Sequence, residues 1–362
     1  MIPSFASIAI SLLSGQALAS EHHAHKRDAA VDYVTVMQTA YVTGGSNDVQ
    51  ATVAASVEAV TSAKVTSPEA VDATSTTIST AAAAATSAAE TSSSSSSSGS
   101  SESAGSSGAL GITYSPYTAE GGCKSASQVA ADFANLGGYS IIRLYGVDCN
   151  QVANVYAAKS SGQKLFLGIY DVSNIASGIQ EMHSGLNGDW SDVVTVSIGN
   201  ELVNSGSASV EQIGEYVSTG RSALQSLGYT GSVVSVDTFI AVIENPGLCK
   251  YSDYMAVNAH AFFDGNVAAA QAGEWAVQQV QRVWEACSGS KSVTIVESGW
   301  PSQGDTYGKA VASQDDQTAA IDSLKSSIGN DVYLFNAYND LWKAAGYLNC
   351  EKYWGIYGSS SS

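Results

Sequence analysis

The chain has 362 residues, a net charge of −18 and a pI near 4.4. That balance argues against a nucleic-acid binder, which needs basic residues against phosphate. It also disfavours docking on an anionic membrane, so a neutral substrate is the easiest fit. Charged residues are only 13%, against about 25% in an average globular protein, so uncharged stretches must dilute them.

In chain order, residues 1–19 read as a secretory signal peptide. An apolar stretch runs from Phe5 to Leu13, and Ala17-Leu18-Ala19 forms an A-x-A cleavage site. The stretch is shorter than the roughly 20 apolar residues that span a bilayer. No Lys or Arg precedes it, a departure from the usual signal. Residues 20–27 form a prosegment closed by Lys26-Arg27, a dibasic processing site, so the mature chain is expected to begin at Asp28. His22, His23 and His25 leave with that segment, and neither a metal site nor a cofactor is expected. Residues 28–107 are a low-complexity region of Ser, Thr and Ala, unbroken serine from Ser92 through Ser98. Aromatics are absent from about residue 61 onward, so this part cannot offset its ordering entropy and reads as a disordered, O-glycosylated spacer. Residues 359–362 are a serine tail with no apolar segment behind them, so no lipid or membrane anchor is expected. The chain holds no Asn-x-Ser/Thr sequon.

Residues 108–358, about 250 in number, have the usual size of a (β/α)₈ barrel. Short apolar runs suited to buried parallel strands recur at 110–114, 141–145, 165–170, 193–198, 233–236, 254–258, 293–296 and 332–335. Helical stripes lie between several of them. Val129, Phe133 and Leu136 share a face. Val210, Ile213, Val217, Leu224 and Leu227 make a second stripe behind the N-cap Ser209, and Val277, Val280 and Trp284 a third. The connection after residues 233–236 is poor in helix signal. Eight alternating units favour a TIM barrel over a doubly wound sheet. All five cysteines, Cys123, Cys149, Cys249, Cys287 and Cys350, fall in this region. The secretory route permits disulfides, five thiols cannot all pair, and the connectivity stays open.

Barrel active sites sit at the carboxyl ends of the strands. The fourth run is followed by Gly199-Asn200-Glu201, and the seventh leads into Glu297-Ser298-Gly299-Trp300-Pro301-Ser302. Each places a carboxylate on the rim, the two facing each other across the mouth. Cleaving a glycosidic bond needs such a pair, an acid beside the leaving oxygen and a carboxylate at the anomeric carbon. Either one alone is an ordinary rim acid, but Glu297 ends an apolar strand and has lost solvation there.

The string Val296-Glu297-Ser298-Gly299-Trp300-Pro301-Ser302 resembles the nucleophile signature of glycoside hydrolase family 17, the β-1,3-glucanase family. Ser197-Ile198-Gly199-Asn200-Glu201 resembles its acid/base motif. The stretches 141–149, 166–170, Asn258-Ala259-His260-Ala261-Phe262-Phe263 and Tyr353-Trp354-Gly355-Ile356 resemble its fungal secreted cell-wall branch. The resemblance implies a (β/α)₈ barrel acting on β-1,3-glucan by double displacement with retention, as a hydrolase or glucanosyltransferase in wall remodelling. It assigns Glu297 as nucleophile and Glu201 as acid/base, with carboxyls about 5–5.5 Å apart, and Asn200 as a contact to the sugar 2-hydroxyl. It implies a secreted, wall-located monomer, with a disulfide or covalent link to the wall open.

Further rim candidates for substrate binding are Tyr114, Arg143, Tyr145, His260, Trp300 and Trp342. Tyr145 is placed to donate to the nucleophile, and Arg143 equally to form a structural ion pair. His260 is placed to touch sugar or Glu297. Trp300 and Trp342 offer flat faces to a pyranose ring. Asn336 stands where many relatives carry a carboxylate after the eighth strand. The competing reading is a non-catalytic glucan-binding wall mannoprotein, which has no need of the carboxylate pair.

Overall fold

A computed structural model describes residues 108–360; the expected signal peptide, prosegment and spacer and the last two serines lie outside the described residues. Eight parallel strands close into a barrel in chain order. They are β1 (Gly111–Thr113), β2 (Ile141–Arg143), β3 (Lys164–Ile169), β4 (Val193–Asn200), β5 (Ser232–Thr238), β6 (Met255–Asn258), β7 (Val293–Ser298) and β8 (Val332–Leu334). Every expected run holds a strand. Among the described residues, seven α-helices cover the outside: α1 (Ala126–Phe133), α2 (Gln151–Ala158), α3 (Ile175–Gly185), α4 (Val210–Ser226), α5 (Phe239–Glu244), α6 (Ala272–Ala286) and α7 (Gln314–Ile328).

The strands are mostly apolar because both faces are buried, with a few buried polar residues such as Arg143, Thr195 and Asp237 among them. Ile112, Ile142, Leu165, Val196 and Ile295 pack outward against the helices, while Phe166, Val234, Val236, Val296 and Tyr333 fill the barrel interior. Ser209 caps α4 in a capping box with Gln212, as its sequence position suggests. The weak signal after β5 becomes the six-residue α5, begun by the Thr238 hydroxyl accepting from Ala241 N.

Two expectations are corrected. The stripe Val277, Val280 and Trp284 does share one face of α6, but Val277 and Trp284 point to solvent; Trp275, Ala276, Gln279 and Val283 are the buried set. That face also carries Ala272 and Gly273, where α6 meets α7 and Gly273 N donates to Ser323 Oγ at 2.9 Å. The eighth unit also lacks an α-helix among the described residues. Instead the segment after β8 wraps over the barrel mouth, with Ala337 N donating to Thr113 O and Asn336 N to Trp354 O.

Disulfides join Cys123 to Cys149 and Cys249 to Cys287. The first ties the β1–α1 loop to the β2–α2 loop on the rim. Cys350 is the buried spare, its thiol pushed up to about 12 by burial and by the neighbouring Glu351 carboxylate.

Tyr114 is a correction as well. It is fully buried, and its hydroxyl donates to Asp132 Oδ2 at 2.7 Å, which also pairs with the buried Lys124 Nζ at 2.8 Å. Tyr114 thus belongs to a buried polar knot between β1 and α1, not to the cleft. Removing one partner of such a pair strands a charge. Lys124→Ala should cost about 3–5 kcal/mol of stability, read as a lowered urea midpoint; a loss below about 1 kcal/mol, as for an exposed pair, would sink this account.

Candidate active site

Strict alternation along β7 would send Glu297 outward with Ile295. A register shift between β7 and β8, and another where β6 meets β7 at Asn258 and Glu297, turn it toward the barrel mouth. On β4 a shift between Ser197 and Asn200 does the same for Asn200 and Glu201. Gly199 supplies the positive φ of 80° that this bend requires. Both carboxylates are nearly buried, Glu201 at 4% and Glu297 at 3% exposure.

Arg143, at the end of β2, crosses the barrel interior to meet them. Its Nη1 donates to Glu297 Oε1 at 2.7 Å and to Val296 O at 2.8 Å, and its Nη2 to Asn200 Oδ1 at 3.0 Å. The guanidinium carbon sits 4.6 Å from the centre of the Tyr145 ring, which supports it from one side. Asn258 at the end of β6 completes the network. Its Oδ1 accepts from Arg143 Nη1 at 3.4 Å, and its Nδ2 donates to Glu201 Oε1 at 2.5 Å. Arginine has no acceptor, so the amide oxygen must face it and the amide nitrogen must face Glu201. One guanidinium therefore orders both carboxylates, Glu297 directly and Glu201 through Asn258.

His260 Nε2 lies 3.7 Å from Glu297 Oε2, and its ring is held edge-on by Phe335 and Trp354. The Tyr145 hydroxyl is buried and makes no hydrogen bond of good geometry, yet it is near enough to Glu297 to favour the charged carboxylate. Burial alone would raise the Glu297 carboxyl. The Arg143 charge, with His260 and Tyr145, outweighs burial and holds it below the ordinary glutamate range.

These groups open into a cleft of about 720 Å³, counted with its mouth. Asn200, Glu201, Glu297, Tyr145, His260 and Trp342 all line it. Arg143 stands behind them as a positioning residue. Trp342 packs on Tyr117 with ring centres 4.8 Å apart, forming one wall. Trp300 is corrected: it is 0% exposed, packs edge-on against Phe262, and donates its indole N–H to Val311 O at 2.8 Å. It cannot offer a face to sugar.

The sequence reading gave no role to several cleft residues: Tyr117, Phe263, Asp340, Lys343, Glu351 and Trp354. Asp340 follows the uncharged Asn336, whose Nδ2 donates to it at 2.8 Å, and pairs with Lys343 Nζ at 3.3 Å. Burial alone would push the Lys343 ammonium down; Asp340, Glu351 and Glu297 outweigh it and hold it above the usual lysine value. A carboxylate thus stands after β8 four residues beyond Asn336, paired with Lys343. The i, i+3 spacing of Asp340 and Lys343 was the available signal.

Residues 111–355 match the family described as the BtgE/BtgC glycoside hydrolase domain. A cell surface mannoprotein of Candida albicans is 62% identical over 69% of this chain and 66% of its own length. A probable family 17 glucosidase of Saccharomyces cerevisiae is likewise 62% identical, over 69% of this chain and 64% of its own. The chain thus spans about two thirds of the length of these relatives. Among solved structures, a Rhizomucor miehei family 17 β-1,3-glucanosyltransferase superposes with a TM-score of 0.61 at 22% identity, covering 71% of this chain and 97% of that one. The eight-stranded barrel and the extent of these matches establish that the chain belongs to the BtgE/BtgC glycoside hydrolase family, in the fungal branch of glycoside hydrolase family 17.

Proposed function

We propose that the protein is a secreted, retaining β-1,3-glucan hydrolase and glucanosyltransferase of the fungal cell wall. The observation that carries this reading is the pair Glu201 and Glu297 in one cleft, both ordered by Arg143. Glu297 Oε1 is held by the guanidinium, so Oε2 attacks the anomeric carbon as the glycosidic bond breaks. Glu201 gives its proton to the leaving oxygen. The Asn258 N–H occupies Oε1 of Glu201, so the proton resides on Oε2. Water or a sugar hydroxyl then attacks the glucosyl-Glu297 ester, and Glu201 takes the proton back. Asn200 is placed for the 2-hydroxyl. Secretion and wall location rest on the leader and spacer read from sequence and on the Candida albicans relative named as a cell surface mannoprotein.

Transfer competes with water only where an acceptor is held in line, and orientation supplies effective molarities up to about 10⁵–10⁸ M. Trp342, backed by Tyr117, is the aromatic wall for that acceptor now that Trp300 is buried. A reduced, labelled β-1,3-oligosaccharide at millimolar concentration should yield products longer than itself, with β-configured ends at first release. Only shorter products at every concentration would leave a plain hydrolase; α-ends would overturn retention. The second reading, a glucan-binding mannoprotein without turnover, takes support from the Candida albicans relative's description, and the absence of any product would favour it.

A further inference from the structure

An aromatic track leaves the cleft and reaches open surface. Trp354 and Phe263 both line the cleft beside the carboxylates. Their rings lie 5.7 Å apart and are tilted by 38°. Phe263 meets Tyr347 at 6.4 Å and 31°, and Tyr347 meets Tyr307 edge to face at 6.3 Å and 72°. Tyr347 is 43% exposed and Tyr307 37%. These rings come from three separate rim segments, the turn after β6, the β7–α7 loop and the stretch after β8, so no local sequence pattern accounts for their alignment.

The outer rings are fixed in place. Tyr307 and Ala310 exchange backbone hydrogen bonds at 2.8 and 2.9 Å, and Lys309 N donates to Gly265 O at 2.7 Å. The Tyr307 ring packs against Gly265, where a Cβ would sit 2.7 Å from its Cε1. On the other side, Asp305 N donates to Leu348 O and Asn349 Nδ2 to Asp305 Oδ2, each at 2.7 Å, clamping the turn that carries Tyr347. Exposed tyrosines ordinarily gain little from such anchoring. Here it pre-orders two amphipathic faces at no further entropy cost on binding.

We propose that Tyr347 and Tyr307 form an outlying glucan-binding surface, continuous with the cleft, that holds the part of a long neutral β-glucan chain lying beyond the reacting sugars. The inference rests on the glucan reading of the cleft. A pyranose ring presents C–H faces suited to aromatic rings and hydroxyls suited to tyrosine, and it carries no charge. The track offers both properties and runs without a break from the reacting centre. Short oligosaccharides end before reaching it, so its contribution appears only with chain length.

The test uses the full chain carrying Glu297→Gln, which binds without turnover. Retention on long β-1,3-glucan and binding of a β-1,3-linked trisaccharide are compared after adding Tyr307→Ala and Tyr347→Ala. The ratio of long-chain to trisaccharide affinity should fall about tenfold, the sum expected of two aromatic contacts. Trp284→Ala, which removes an exposed aromatic on α6, should leave that ratio where it was. An unchanged ratio in the tyrosine pair, or an equal drop in the Trp284 variant, overturns the inference while the cleft assignment stands. A parent protein that binds neither ligand sinks the glucan reading and this inference together.

Discussion

Glu297→Gln should abolish turnover of β-1,3-oligosaccharides, and Glu201→Ala should lower it by about 10²–10⁴-fold, the usual worth of a general acid. The two losses differ in kind. Without Glu297 no covalent glucosyl intermediate forms, and an amide at the same place, still touching Arg143, cannot replace it. Without Glu201 the nucleophile remains, so an activated aryl β-glucoside, whose leaving group needs no proton, should still form the intermediate. Its breakdown then lacks a base. Azide, small and already anionic, fits the space vacated by the Glu201 side chain and needs no deprotonation, so it should restore turnover. Two inversions give a β-glycosyl azide. An α-azide, or full activity in Glu297→Gln, would reverse or remove the assignment. Both side chains are buried at strand ends within one network, so folding of each variant is checked by its melting profile beside the wild type.

The barrel was legible because its strands are buried on both faces and therefore read as largely apolar runs, such as Leu165–Ile169 and Val193–Ile198. The two carboxylates were legible because a charge directly after such a run is conspicuous. What local pattern does not encode is direction. Trp300 stands three residues beyond Glu297, yet its indole enters the core beside Phe262. Val277 and Trp284 have helical spacing, but α6 packs with the neighbouring face that carries Trp275, Ala276 and Val283 inward. The Asp340, Lys343 and Trp354 part of the cleft depends on how the segment after β8 folds back on β1 through Ala337 and Thr113. That return spans the length of the barrel sequence, and short-range spacing is silent about it. Arg143 was seen as either a sugar contact or an ion pair; its reach across the barrel to strands β4, β6 and β7 makes it the latter, with a task in the site.

That task sets the last expectation. In the wild type, burial would favour a neutral Glu297, but the Arg143 guanidinium outweighs burial and the carboxyl lies below its ordinary range. The nucleophile stays charged as pH falls, so the acid limb of kcat/KM, which reports the loss of that charge, should lie on the acidic side of an ordinary glutamate. Arg143→Met keeps most of the side-chain bulk and removes the charge. Burial is then unopposed except by His260 and Tyr145, and the acid limb should move to higher pH. At the wild-type optimum, activity should fall about 10- to 100-fold, matching the ~1.5–3 kcal/mol of one charge-assisted hydrogen bond. Stability carries the same sign. A folded-state carboxyl held below its unfolded value stabilises the protein above the unfolded value, and that contribution is lost as pH falls through the folded one. In Arg143→Met the contribution reverses, because a carboxyl raised by burial favours the folded state only while it is protonated. Urea midpoints across the acidic range should therefore rise with pH in the wild type more steeply than in the variant. Arg143→Lys, a point charge without the fork that reaches Glu297 and Asn200 together, should recover the position of the acid limb more fully than it recovers kcat. An acid limb that stays in place in Arg143→Met would show that the guanidinium does not govern the nucleophile's charge.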